Sequence, residues 1–74
     1  MPGDLDRALI AAHEAGDSER LTVLYAEAAD EAETAGNVDA ACFYLTHAYV
    51  FALESGAPQA ADLHRRLKAY GREE

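Results

Sequence analysis

Three histidines, one cysteine and two serines are the side chains here with chemistry to offer. A helix brings two metal ligands together at i, i+3 or i, i+4, and no pair among His13, His47 and His64 has that spacing. Cys42 and His47 fall on different sides of a helical wheel, so they assemble neither a thiolate–imidazole pair nor a mixed site with a carboxylate. Cys42 sits beside Leu45 and Tyr49 on that wheel, where it reads as a small buried hydrophobe. Ser18 and Ser55 read as helix-boundary residues. The glycines are single rather than clustered, so no loop is built to cradle a phosphate. The residues predict no catalytic group, no metal site, no cofactor and no enzymatic activity.

The elements that must carry these residues are marked by glycine. Gly16, Gly36 and Gly56 recur every 20 residues, each after a small residue. Each reads as a helix stop, because glycine enters the left-handed conformation without a Cβ clash. A start signal follows each stop: Asp17-Ser18, Asn37, and Pro58 for the first turn. Gly3-Asp4 serves the same purpose at the front. The spacing predicts four helices near residues 4–15, 18–35, 38–55 and 58–70, with links short enough to force antiparallel neighbours. Alanine contributes 17 of the 74 residues, and β-branched residues are scarce, which favours an all-α domain spanning residues 1–74.

Helical periodicity predicts the buried faces. Leu5, Ala8, Leu9 and Ala12 share one face of the first helix. Leu21, Leu24, Tyr25, Ala28, Ala32 and Ala35 share one of the second, opposite Glu19, Glu27, Asp30, Glu31 and Glu33. Ala60, Leu63, Leu67 and Tyr70 do so in the fourth. The third helix is apolar nearly all round, which places it centrally. Its polar wedge holds Asp39, Thr46, His47 and Glu54, yet Phe43 and Val50 fall inside it. Apolar residues on a polar face call for a covering surface: another helix of this chain, a second copy or a partner.

Residues Leu21 to Leu53 resemble a tetratricopeptide-type helix–turn–helix. Tyr25 stands for the large residue early in its first helix, Ala29 for the small residue four positions on, and Gly36-Asn37 for the turn. Ala41, Leu45 and Ala48 match the small-large-small pattern of its second helix. Ala28 and Ala32 depart from the larger residues usual in the family, Leu53 from a common proline, and a 40-residue helix pair from the roughly 34-residue repeat. The resemblance implies two antiparallel helical hairpins in a solenoid, and adaptor-like binding of a protein or peptide segment. The alternative all-α arrangement is a closed four-helix bundle.

Charge narrows the partners. The net charge is −8, which opposes nucleic acid and anionic membranes, and no apolar run approaches a membrane span. An acidic start is no signal peptide, and a lone cysteine fits a reducing cytoplasm. Five Arg to one Lys, with so much Ala, suggests a GC-rich bacterial gene. The acids lie in the first half, while Arg65, Arg66, Lys68 and Arg72 cluster at the end. These bases complement the helix dipole, or they form a strip that meets an acidic partner segment or the acidic second helix of another copy. The expected contact stripe is Phe43, His47 and Val50, with Arg65, Lys68 and Arg72 as a charged rim. Two hairpins are fewer than the repeats a solenoid usually needs, so an obligate homodimer with no separate ligand is the alternative to an interaction module.

Overall fold

The computed structural model describes residues 4–71, with side chains from Leu5 onward. Four α-helices account for most of them, and no strand occurs among the described residues: α1 is Asp4–Ala15, α2 Ser18–Thr34, α3 Val38–Ser55 and α4 Gln59–Ala69. Three boundaries differ slightly from expectation. Ala35 is the C-cap of α2, Pro58 is the N-cap of α4 rather than part of its first turn, and Tyr70 is the C-cap of α4. Gly3, half of the cap expected for α1, lies outside the described residues.

The stops work as the glycine period predicts. Gly16, Gly36 and Gly56 have φ of 65°, 76° and 67°. In each case the following amide, of Asp17, Asn37 or Ala57, donates to a carbonyl five residues back, Ala12, Ala32 or Ala52, at 3.0, 2.9 and 2.8 Å. This is the wrapped ending that satisfies orphan carbonyls at a helix C-terminus. The starts follow directly: the Asp17 carboxylate accepts from the Arg20 amide at 3.2 Å, and the Asn37 amide oxygen from the Ala40 amide at 3.1 Å.

Each helix backbone meets only its neighbours in sequence: α1 with α2, α2 with α3, and α3 with α4. The contact of α2 with α3 is the most extensive. Ser18 at the start of α2 reaches Glu54 near the end of α3, while Glu33 near the end of α2 reaches Arg66 and Tyr70 at the end of α4. The whole measures 32 × 29 × 13 Å, a slab rather than a ball.

Burial explains the alanine content. Ala29, Ala41, Leu45, Ala48 and Ala52 have no exposed surface. Ala29, Leu45, Ala48 and Ala52 join Leu63 and Leu67 in one core cluster. Alanines on facing helices let the backbones approach, and leucines fill the space left between them. A second cluster of Ala12, Leu21 and Leu24, flanked by Leu5, Ala8 and Leu9, joins α1 to α2. The single stripe expected on α2 is therefore incomplete. Two neighbours cover α2, so Thr22 and Ala29 are buried as well, and Ala35 at its end is exposed. Thr22 tolerates burial because its hydroxyl donates to the Ser18 carbonyl at 2.9 Å.

Two substitutions test this account. A Cβ on Gly36 meets nothing within 4 Å, so Gly36→Ala isolates the cost of the left-handed backbone. Urea unfolding is expected to show a loss of about 1 kcal/mol. Ala48→Leu forces a larger side chain between α2 and α3 and is expected to cost about 1–3 kcal/mol or more.

Candidate interaction surface

α3 presents its core residues to α2 and α4, and a helix with neighbours on two sides leaves a third open. Asp39, Phe43, Thr46, Val50 and Leu53 occupy that third side, at i, i+4, i+7, i+11 and i+14. Phe43 is 57% exposed, Val50 45% and Leu53 58%. The surface that the sequence asked to cover Phe43 and Val50 is not supplied by the described residues of this chain.

The stripe has a built support. The His47 Nδ1–H donates to the Phe43 carbonyl at 2.9 Å, and the two rings lie 4.4 Å apart. On its other side, the half-buried His47 ring is 5.1 Å from Tyr25 of α2. Tyr25 stacks on Phe51 at 5.8 Å, and its hydroxyl shares a 2.9 Å hydrogen bond with His13 Nε2 of α1. His13 closes the group with an edge-on contact to Phe51 at 5.7 Å. Rings thus run from the exposed Phe43 into the junction of α1, α2 and α3, each pair in a tilted, edge-on or stacked arrangement. His47, partly exposed, acts as a link in this series.

Arg65 pairs with Asp62, three residues back on its own helix, and Lys68 is exposed on α4. Arg72 lies outside the described residues. The base that does meet the acidic second helix is Arg66, and it does so within the chain. Its guanidinium donates to Asp30 at 2.7 Å and to Glu33 at 2.8 Å. The Tyr70 hydroxyl donates to the other oxygen of Glu33 at 2.5 Å. This clamp joins α2 to α4, whose backbones do not meet. Two of its signals were in the sequence, an acidic α2 and a basic α4. Which base turns inward depends on the orientation of α4 about its own axis. Leu53 was also overlooked as a surface residue, although it stands one turn beyond Val50.

The clamp has a pH signature. The hydrogen bond from Tyr70, helped by Arg66 and opposed by burial, holds the Glu33 carboxyl below its ordinary value of 4.5. The same bond holds the Tyr70 phenol above its ordinary 10.0. The remaining candidates are dispersed over the helices. Cys42 is buried and free. His13 is in the last turn of α1, and His47 and His64 are half-buried. No group of three or more His, Cys, Asp or Glu able to hold a metal occurs among the described residues. No helix among them is long and apolar enough to cross a membrane. Comparison with known proteins finds no matching family, no similar curated protein and no similar solved structure.

Because the fold favours the Glu33 carboxylate, its contribution is present above pH 4.5 and is lost as pH falls through the lowered value. Glu33→Gln is therefore expected to lose stability at neutral pH and to show a shallower decline in melting temperature between about pH 5 and 3. Arg66→Met at neutral pH should cost about 0.5–1 kcal/mol, since the pair is only partly shielded from water.

Proposed function

We propose that this chain is a small non-enzymatic protein-interaction module, which binds a protein or peptide segment through α3. The observation that carries this reading is the exposure of Phe43 and Val50, 57% and 45%, on a face whose support is packed and hydrogen-bonded. An exposed aromatic held in place loses little side-chain entropy on binding, which is how contact residues contribute most. Among the described residues, neither side chain belongs to a core cluster.

We read the architecture as two antiparallel hairpins, α1 with α2 and α3 with α4, of tetratricopeptide-like type. In support, the three glycine stops share one geometry at a 20-residue period, and helices meet only their neighbours in sequence. The flat outline and the separation of α1 from α4 favour an open array over a closed bundle. Of the helical positions that carry the resemblance, Ala29, Ala41, Leu45 and Ala48 are fully buried, and Tyr25 is half-buried.

The second reading is a homodimer without a separate ligand. It is favoured by further exposed apolar residues, Ile10, Val23, Val38 and Leu53, on a chain with a small core. Light scattering at micromolar concentration separates the two. A monomer is the expected result, and a dimer that dissociates only on unfolding favours the second reading. In the monomer, Phe43→Ser combined with Val50→Ser should leave circular dichroism unchanged and stability within about 0.5 kcal/mol for each exposed site. The same double variant should lose the partners that the native sequence captures from its own cell. Capture that is unchanged would show that this face is not the binding surface.

A further inference from the structure

We propose that the open face of α3 takes a single amphipathic helix of basic character, supplied by another protein and laid along Phe43, Val50 and Leu53. This rests on the interaction reading above and narrows its partner; size, spacing and charge each bear on the occupant.

The exposed parts of these three side chains amount to on the order of 300 Å², taking roughly 150–200 Å² for each when fully exposed. A stable protein pair needs about 800 Å² from each partner. The row is too small to hold a second whole copy by itself. A second copy would also set a charge of −8 against another −8. One helix asks for less, because its apolar ridge matches a row of this width.

The three residues follow one another at i, i+7 and i+10, on a side of α3 that none of the described residues covers. At about 1.5 Å per residue the row is about 15 Å long, close to three helical turns. A partner helix with apolar residues every three or four positions sets a ridge of that length against it. The His47 ring, fixed between Phe43 and Tyr25, keeps the Phe43 end of the row in place.

Charge decides the character of the partner's polar face. α3 carries Glu54 next to Leu53 and no Lys or Arg. The Ser18 hydroxyl bonds the Glu54 carboxylate without neutralising it. Of the bases on α4, Arg66 is held by Asp30 and Glu33 and Arg65 by Asp62, and the chain as a whole carries −8. A helix whose apolar row is flanked by Lys or Arg therefore approaches an attracting field, and one flanked by acids a repelling field.

The test uses the full chain, labelled with ¹⁵N, and three synthetic peptides of roughly 18 residues, about five turns each. All three share one leucine face and differ in the polar face, which is lysine, glutamine or glutamate. The lysine peptide is expected to shift the amides of α3 from Phe43 to Leu53. Its binding should weaken several-fold as salt rises from about 50 to about 200 mM. The glutamine peptide should bind less tightly and the glutamate peptide not at all. Phe43→Ser should weaken the lysine peptide roughly tenfold or more with the remaining spectrum preserved. Leu53→Ser serves the same purpose if that variant does not fold. Equal binding of the glutamate peptide on α3 would overturn the basic partner while leaving the docking face standing. Lysine-peptide shifts confined to the acidic face of α2, unaffected by Phe43→Ser, would overturn docking on α3. So would three peptides that leave α3 unmoved at about 1 mM, while the interaction reading itself stands or falls on the capture experiment above.

Discussion

The close approach of α2 to α3 over alanine is the constraint on which the remainder rests. Ala29 on α2 and Ala41, Ala48 and Ala52 on α3 bury completely around Leu45. Side chains this small gain little from burial one by one, about the transfer energy of a methyl group each. Their effect is geometric: they bring two backbones near enough for the few leucines to fill what is left. Larger side chains cannot enter that contact, so the tyrosines, phenylalanines and histidines are displaced to its margins. The ring series of His13, Tyr25, Phe51, His47 and Phe43 runs along one margin, on the α1 side.

The other margin faces α4, where bulk is again short. Leu63 and Leu67 reach the core, but the backbone of α4 does not touch α2. Arg66, Glu33, Asp30 and Tyr70 span the gap instead. Arginine suits this position: a planar fork on a long stem covers apolar surface and binds two carboxylates together. Much of the acidity of α2 is thus not surplus solubility charge. Two of its carboxylates hold the last helix in place, and the rest give the chain its negative field.

These two margins also explain the open face. With α2 on one side and α4 on the other, α3 has only its outer side left, and the apolar residues there have no partner within the described chain. A helix that is apolar nearly all round is expected to be surrounded, yet a flat row of four helices surrounds none of its members. The mismatch between the apolar content of α3 and the shape of the slab is what makes Phe43, Val50 and Leu53 a surface feature.

The sequence by itself determined the elements. Gly16, Gly36 and Gly56 set the stops, and Asp17 and Asn37 the starts, because caps are local chemistry between residues close along the chain. It also determined most of the buried faces, since helical periodicity is local too, and it marked Phe43 and Val50 as misplaced on a polar wedge. It did not determine that Thr22 and Ala29 would be buried, which required knowing that α2 has neighbours on both sides. Nor did it determine that Arg66, rather than Arg65 or Lys68, would meet the acids of α2, or that His47 would lie between Phe43 and Tyr25. Those outcomes depend on how each helix is rotated about its axis against the next. That rotation is fixed by the packing of whole faces, and no single stretch of sequence contains it.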